Sequence, residues 1–327
     1  MNMGDSVVLV TGGAGYIGSV LCRKLLAAGY RVRVYDSLLF GGEGIMDLSN
    51  NSAFSLMKGD IRDEGGVKQA MKGVGSVVHL AAMVGDPACD ASPDEAREVN
   101  ETGSGIVLAE AAIAGVRRFL FASTCSNYGM NKESGILVNE FSALDPQSHY
   151  ASLKVAFEKR LMNGDFPDSW TILRFATVYG LSPRTRFDLT INQFTRDLTL
   201  GLPLTVYGEN TWRPYCHVSD LAASVVSVLK EDEVRMKGKI YNVGDSSENY
   251  TKRQIVSAIQ KQVPEGIIEY QAFAGTDKRD YRVDFSRIFQ ELGFRIGKRI
   301  HDGISEIRVA LQNGMFADPF AERYRNC

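Results

Sequence analysis

The sequence has few cysteines and none of the spacings that would organise them into a site. The five cysteines of the 327-residue chain are an odd number and include no CxxC pair: Cys22, Cys89, Cys125, Cys216 and Cys327. A disulfide framework or a zinc site needs paired or closely spaced thiols. We therefore expect reduced thiols, no bound metal and a cytoplasmic location.

Long hydrophobic runs and an excess of charge of one sign are also missing. No apolar run is long enough to cross a bilayer, and the first residues, MNMGDS, lack the basic and apolar segments of a signal peptide. The formal net charge is -2, so we expect no general attraction to nucleic acid or to an anionic membrane. No low-complexity segment or repeat is evident, which leaves an ordinary globular protein.

What the sequence does contain is a cluster of glycines between an apolar run and a helical pattern. Gly12, Gly13, Gly15 and Gly18 follow the predicted strand Val7–Val10 and fit both the GxGxxG and the GxxGxxG spacings. Such a turn brings the backbone close to a pyrophosphate at the positive N-terminus of the next helix. A glycine-rich turn that binds nothing is the alternative, but the flanking strand and helix favour a dinucleotide site.

Strand and helix patterns alternate through the first half of the chain. RVRVYD, FSLMKGD, SVVHLAA, RRFLFAST and WTILRF read as strands, and Glu64–Met71, Glu95–Ala114 and Tyr150–Met162 read as helices. This alternation predicts an α/β fold with a doubly wound parallel sheet. The second half is more mixed. Its segments GLSPRTRFD, GENTWRPYCH and GTDKRDYRVD, rich in arginine and aromatic residues, are predicted to be ligand-contacting loops.

The same patterns predict two lobes around one cleft. We expect a dinucleotide-binding domain over residues 1–175, with further elements returning to it from about 213–245. Residues 176–327 are expected to form mainly a smaller, mixed α/β C-terminal lobe that binds the substrate.

Asp36 stands at the end of the predicted second strand, about 20 residues beyond the glycine turn. A carboxylate at this position accepts hydrogen bonds from the ribose hydroxyls of NAD and repels a 2′-phosphate. A solvated aspartate at a strand end would look the same in sequence. Arg31 and Arg33 on the same strand keep NADP as the second possibility, but they precede the strand end, so we predict NAD.

Tyr150 and Lys154 stand four residues apart in HYASLKVAFEK and therefore share one face of a helix. A lysine ammonium beside a phenol is expected to lower the phenol's pKa from ~10. The phenolate would then accept a proton from a sugar or alcohol hydroxyl. A packed tyrosine and a solvated lysine would show the same spacing, but the glycine turn, Asp36 and FASTCSNYG together favour catalysis.

Seven motifs give the chain a family resemblance. TGGAGYIG, GDIRD, HLAA, ASTCSNYG, YASLK, LRFATVYG and RPYCHVSDLA occur in the order seen in extended short-chain dehydrogenases/reductases. From Val7 to about Gly293 the chain resembles their nucleotide-sugar epimerase/dehydratase branch. The resemblance implies a Rossmann-type domain that binds NAD and a nucleotide-sugar substrate. It also implies a homodimer formed through the helices near Glu95–Ala114 and Tyr150–Met162.

The resemblance further implies a set of cofactor contacts around the pyrophosphate, the ribose, the adenine and the strand end that lines the pocket. These are Gly12, Gly15, Tyr16, Ile17 and Gly18 for the pyrophosphate, Asp36 for the ribose, Asp60 and Ile61 for the adenine, Leu80, Ala81 and Ala82 at the strand end, Asn100 in a core-facing helix, and Tyr150 with Lys154.

Catalytic and substrate residues are implied in the same way. Thr124 matches the family's catalytic Ser/Thr, Tyr150 its base, and Lys154 its cofactor-holding lysine. The substrate side is implied to carry arginines, whose forked donors suit a diphosphate, and one threonine at a position where many epimerases have asparagine. These substrate-side residues are Arg184, Arg186, Arg213, Arg279 and Thr177.

One departure from the family pattern bears on the reaction. Thr124 is followed by Cys125 and Ser126, where 4,6-dehydratases carry the Asp-Glu pair that eliminates water. Cys125 is either a small packed thiol or an acid/base thiol near the substrate.

We therefore predict an NAD-dependent nucleotide-sugar epimerase that acts at C4 through a transient 4-keto sugar. The alternatives are a keto-sugar nucleotide reductase or oxidoreductase, a 3,5-type epimerase that uses Cys125, a 4,6-dehydratase, and a non-catalytic NAD-sensing protein.

Overall fold

Apolar and β-branched runs form the strands of the protein. The computed structural model describes residues 7–130, 135–166, 168–271 and 279–326. Within these ranges the strands are β1 (Val7–Thr11), β2 (Arg31–Asp36), β3 (Phe54–Lys58), β4 (Val74–His79), β5 (Arg118–Thr124), β6 (Ser169–Phe175), β7 (Thr177–Tyr179), β8 (Leu204–Tyr207), β9 (Trp212–His217), β10 (Lys239–Val243), β11 (Asn249–Thr251) and β12 (Ile268–Gln271).

Seven strands form one parallel sheet in the order β10-β6-β5-β4-β1-β2-β3. The chain reverses its direction of growth at β1, which pairs with β2 on one side and with β4 on the other. In sheets of this kind, ligands bind beyond the carboxyl ends of the strands at such a switch point. The glycine turn after β1 and Thr124 at the end of β5 both lie at this edge. The predicted doubly wound parallel sheet is confirmed.

The α-helices in the described ranges are α1 (Tyr16–Ala27), α2 (Glu64–Ala70), α3 (Asp86–Ala91), α4 (Pro93–Arg97), α5 (Ser104–Ile113), α6 (His149–Met162), α7 (Thr190–Thr199), α8 (Val218–Lys230), α9 (Glu233–Met236), α10 (Lys252–Gln260), α11 (Ser286–Leu292) and α12 (Ile300–Gln312). Helices pack on both faces of the seven-stranded sheet. On one face α1 packs against α8, and on the other α2 packs against α5. Each face has its own apolar cluster, so β1, β4 and β5 are buried on both sides.

The predicted helix Glu95–Ala114 is a composite. After α4 the chain makes a π-helical segment, Glu98–Gly103, and then continues directly into α5. Wider turns of this kind are often found at functional sites. Here the π-helical turn carries Asn100, which is 4% exposed.

The segment GENTWRPYCH was predicted to be a loop, and this is wrong for its second half, which forms β9. In the three-stranded sheet β11-β9-β7, residues 212–214 pair with β11 and residues 215–217 pair with β7. Pro214 therefore has a ladder partner on one side only, which is the setting in which a strand tolerates proline. Pro214 hid the strand pattern in the sequence, because a proline within a run argues against a strand.

A third apolar cluster lies in the second half of the chain, where α7, α10 and α12 pack around β8. Tyr16 at the start of α1 reaches across to this half. Its hydroxyl donates to the carbonyl of Gly180 at 2.5 Å and accepts from Asn192 Nδ2 at 3.3 Å. The proposed limits of the two lobes stay a prediction. None of the helices in the described ranges is long and apolar enough to cross a membrane.

Candidate active site

The glycine turn is packed so closely that side chains have no room. Gly12 has a φ of +73°, and a Cβ there would lie 2.7 Å from the backbone nitrogen of Ala81. A Cβ on Gly18 would collide with the carbonyl oxygen of Gly12. No side chain among the described residues caps the N-terminus of α1, and its first turn carries no acidic residue. The turn therefore fits the pyrophosphate of a dinucleotide, which would lie at an uncapped, positive helix end.

Asp36 is tied into the same turn. Its Oδ2 accepts from the backbone nitrogen of Ala14 at 2.9 Å, and its Oδ1 accepts from that of Leu38 at 2.8 Å. Burial raises the pKa of this carboxyl, against the lowering effect of these two backbone donors. Each oxygen keeps further acceptor capacity for ribose hydroxyls. Arg33, which made NADP the second possible cofactor, donates instead to the carbonyls of Ala70 and Lys72, both at 2.7 Å.

The predicted adenine contacts lie beyond β3. The carboxylate of Asp60 pairs with Arg62 at 2.7 Å, and its carbonyl accepts from the hydroxyl of Tyr35 at 3.0 Å. Ile61 is buried, and its side chain packs closely against Gly103.

The strand end that lines the pocket is held by two polar residues. After β4, Ala81 donates its backbone nitrogen to Thr11 Oγ1 at 3.3 Å, between the half-buried Leu80 and Ala82. Asn100 accepts from the nitrogen of Met83 at 2.8 Å and donates to its carbonyl at 2.9 Å. The amide of Asn100 therefore fixes the backbone at Met83.

The predicted catalytic residues lie on two packed elements, β5 and α6. Thr124 ends β5, and its Oγ1 accepts from the nitrogen of Ser126 at 3.1 Å. Lys154 Nζ donates to the carbonyl of Ala122 at 2.9 Å and lies 5.8 Å from the ring centroid of Tyr150. The lysine is thus anchored to β5 with its ammonium near the tyrosine ring.

The electrostatics of this pair differ from the sequence-based expectation. Burial raises the pKa of Tyr150, and the nearby Cys89 and Asp86 raise it further. The cations that lower it are Arg186 and Arg279. Burial also lowers the pKa of Lys154 to about 8. The expectation that Lys154 lowers the phenol's pKa below ~10 is therefore not met, because desolvation outweighs the nearby charges.

Cys125 lies in the core. It is 1% exposed, its Sγ donates to the carbonyl of Arg174 at 3.2 Å, and burial raises the pKa of the thiol well above its usual range. It belongs to the apolar cluster on the α1–α8 face of the sheet. This placement favours the packed-thiol interpretation over the acid/base one.

Two of the four predicted arginines lie in contacting segments near the turn that follows β5. Arg213 donates to the carbonyls of Trp212, at 2.7 Å, and Arg279, and its guanidinium carbon lies 5.3 Å from the ring centroid of Tyr281. Arg279 Nη1 lies 3.4 Å from Ser126 Oγ. The side chain of Arg213 therefore contacts the backbone of Arg279, whose own side chain reaches the turn after Thr124.

The other two arginines lie on the loop between β7 and α7. Arg186 makes a two-pronged ion pair with Asp188 at 2.9 and 2.6 Å. Arg184 shares none of its described contacts with Arg213 or Arg279 and lies instead near Asp36. Thr177 starts β7, opposite Tyr215 of β9, and is half-buried.

Sequence reasoning missed several residues that complete the site. Asp86 pairs with Arg279 at 2.7 Å, and the Tyr281 hydroxyl lies 3.3 Å from Ser126 Oγ. Asp86 stands six residues after Leu80 on the strand-end loop, so a charged residue there was a usable signal. Tyr281 and Asp188 carried no such signal, because their roles depend on contacts between distant segments.

Comparison with known proteins gives one consistent result. The model of the "NAD dependent epimerase/dehydratase family" matches residues 8–244. A UDP-glucose 4-epimerase of Lacticaseibacillus casei is 30% identical over 276 residues, which cover 78% of this chain and 80% of that protein. A dTDP-glucose 4,6-dehydratase of an Actinoplanes species is 28% identical over 313 residues, or 91% and 95% of the two chains.

A solved structure agrees with these relatives. The Thermus thermophilus UDP-glucose 4-epimerase, crystallised in complex with NAD, superposes with a TM-score of 0.80 at 28% identity, covering 93% of this chain and 99% of its own. The glycine turn and Asp36 already fit the cofactor that the family description names. The chain belongs to the NAD-dependent epimerase/dehydratase family of nucleotide-sugar enzymes.

Proposed function

We propose that this protein is an epimerase that inverts C4 of a nucleotide sugar through a transient 4-keto intermediate. The observation that supports the proposal is that Lys154 links Tyr150 to the strand that ends at Thr124. Lys154 Nζ donates to the carbonyl of Ala122 in β5 and lies beside the Tyr150 ring, whereas Cys125, the residue after Thr124, is buried in the core. Inversion at C4 needs one proton acceptor, and elimination of water needs a second acid and base.

Three residues of the chain have separate roles in the proposed reaction. Tyr150 takes the proton of the C4 hydroxyl, and Thr124 Oγ1 hydrogen-bonds the reacting oxygen. Lys154, fixed by the carbonyl of Ala122, holds positive charge beside the phenol. NAD, when bound, supplies the acceptor and donor of hydride, so the cycle has no net redox change. Because burial raises the pKa of Tyr150, the nearby cations are needed to make its anion accessible.

The substrate side is proposed to hold a diphosphate between Arg213 and Arg279. Relatives of this protein include enzymes named for UDP-glucose and dTDP-glucose, so sugars carried on both nucleotides should be tested first as substrates. The two guanidinium groups are oriented by carbonyl, hydroxyl and aromatic contacts from three segments of the chain. Such fixed forks suit phosphate oxygens better than flexible ammonium groups do.

The test is incubation of the protein and NAD with each sugar nucleotide in deuterated water. C4 inversion should give the epimer with unchanged mass and no carbon-bound deuterium. Tyr150→Phe should lower the rate ~100- to 10,000-fold, because it removes only the proton acceptor. NAD binding should persist. Tyr207→Phe, at an exposed tyrosine, is the matched control and should retain the full rate.

Other outcomes would contradict the proposal in distinct ways. Loss of one water with deuterium on carbon would show a dehydratase, and accumulation of NADH would show a net oxidoreductase. Deuterium uptake without loss of water would show proton abstraction beside the ketone and return attention to Cys125. No reaction with any sugar nucleotide, together with NAD binding, would favour a sensing protein.

A further inference from the structure

Arg184 lies at the end of the cleft that is predicted to hold the adenosine half of NAD. Its guanidinium carbon is 4.1 Å from the ring centroid of Phe40, four residues beyond Asp36. Its Cβ is 3.1 Å from where a Cβ on Gly44 would stand, and the same point is 3.4 Å from the carbonyl oxygen of Ala14 in the glycine turn. Arg184 and Asp36 also interact electrostatically. The second half of the chain therefore reaches over the dinucleotide turn at this residue.

The burial of Arg184 is only partly compensated. The residue is 6% exposed, and its Nε is buried with no hydrogen-bond partner among the described residues. Its other donors go to neutral acceptors, Asn326 Oδ1 at 2.6 Å and the carbonyl of Arg325 at 2.8 Å. No carboxylate in the described ranges lies within ion-pair distance of it. A buried guanidinium without a carboxylate at ion-pair distance is costly, and a phosphate would supply a directly paired charge and an acceptor for Nε.

The C-terminal segment holds this loop in place. Residues 316–326, which we call the C-terminal clasp, contact the loop between β7 and α7 at several points. The nitrogen of Phe187 donates to the carbonyl of Tyr324 at 2.8 Å, and the nitrogen of Asn326 donates to Asp188 Oδ2 at 3.2 Å. The rings of Phe187, Phe316 and Tyr324 pack edge to face, with centroids 5.0 to 5.6 Å apart.

We propose that Arg184 and the C-terminal clasp close over the adenosine diphosphate half of NAD and slow its release. Arg184 is thereby a cofactor-side residue, where the family resemblance implied a substrate contact. Only the use of slow NAD release rests on the proposed epimerase reaction. An enzyme that returns hydride to its substrate can use one bound cofactor through many cycles. The binding itself is testable without any turnover.

The experiment measures cofactor release and the affinity of each half of the cofactor. NADH-loaded protein is mixed with excess NAD, and the loss of NADH fluorescence gives the dissociation rate. Arg184→Ala should raise this rate roughly tenfold or more, and Asn326→Ala should raise it roughly three- to tenfold, because each removes a hydrogen bond of a charged group. Arg184→Lys, which keeps the charge but loses the fork, should fall between Arg184→Ala and wild type.

Titration with cofactor fragments locates the effect. ADP-ribose should lose affinity in Arg184→Ala by about the same factor as NAD, whereas nicotinamide mononucleotide should be unaffected. Glu322→Gln, at an exposed position on the clasp, is the matched control and should release NADH at the wild-type rate.

Two results would overturn the proposal. One is a release rate within twofold of wild type in both Arg184→Ala and Asn326→Ala. The other is a loss of affinity that falls on nicotinamide mononucleotide and not on ADP-ribose. If Arg184→Ala does not fold, the proposal is tested by comparing the NADH release rate of Asn326→Ala with that of Glu322→Gln. Failure of the epimerase reaction would leave the NADH release rates measurable, so the two failures can be told apart.

Discussion

His79 ends β4 beneath the glycine turn and is completely enclosed. Its Nδ1 lies 2.7 Å from Thr11 Oγ1, and its Nε2 lies 2.9 Å from Ser104 Oγ. Burial lowers the pKa of this imidazole to about 3, and the charge of Lys154 lowers it further. The neutral ring fits the site, since its two nitrogens can donate one hydrogen bond and accept one. Acid should therefore destabilise the fold through this residue.

The size of the effect follows from the two pKa values. In the unfolded chain a histidine titrates near ~6.5, so between that pH and about 3 the unfolded state binds a proton that the folded state does not. The stabilisation from the neutral ring is complete above ~6.5 and is lost as the pH falls below it. At pH 5 the loss is about 2 kcal/mol, which is a large share of an ordinary unfolding free energy.

The assay is urea unfolding of the wild type and His79→Gln at pH 7.5 and pH 5. His79→Gln is less stable at pH 7.5 but should lose about 2 kcal/mol less than the wild type on acidification. His301→Gln, at an exposed histidine, should keep the wild-type pH dependence. Equal losses of unfolding free energy in the wild type and His79→Gln would refute the reasoning, because the proton would then be taken up elsewhere.

Two further predictions concern cofactor choice and the substrate. Asp36→Ala should weaken NAD binding and reduce the preference for NAD over NADP, because it removes the ribose acceptor and two contacts within the turn. Titration with both cofactors tests this. If the unaltered protein bound NADP as tightly as NAD, the assignment would be wrong. Arg213→Lys should raise KM roughly tenfold with a smaller change in kcat, because a lysine keeps the charge but cannot use the carbonyls and the Tyr281 ring as a fork does. An unchanged KM in Arg213→Ala would remove Arg213 from the substrate site.

The dinucleotide-binding half was largely readable from the sequence, because its signals are local. A glycine turn between a valine-rich strand and an amphipathic helix fixes β1 and α1, and the position of Asp36 follows from the length of that unit. The parallel, doubly wound arrangement of the sheet also follows from alternating strand and helix patterns. The second half of the chain was harder to predict, since its small sheets have strands three to six residues long that pair with distant segments.

The position of Cys125 could not be read from the sequence, because Cys125 follows the last residue of β5 and the alternation of faces along the strand does not extend to it. Its Sγ donates to the carbonyl of Arg174, which belongs to a distant segment. Arg184 is a second example. Nothing near it in sequence indicates that residues 325 and 326, 140 positions later, supply its partners.

Helix α6, which carries the two residues proposed to be catalytic, is held in place by a third residue on the same face. Tyr150, Lys154 and Glu158 follow one another at intervals of four on α6 and so share one face. Glu158 is 0% exposed and pairs with Arg174 of β6 at 2.6 Å, while Asn127 Nδ2 donates to it at 2.9 Å. Its contacts reach β5, β6 and the turn after Thr124, which are the elements that set where the tyrosine stands relative to the threonine. Removing one partner of such a buried pair leaves an uncompensated charge. The pair therefore constrains the position of Tyr150, the proposed base, although neither Glu158 nor Arg174 has a proposed part in the reaction itself.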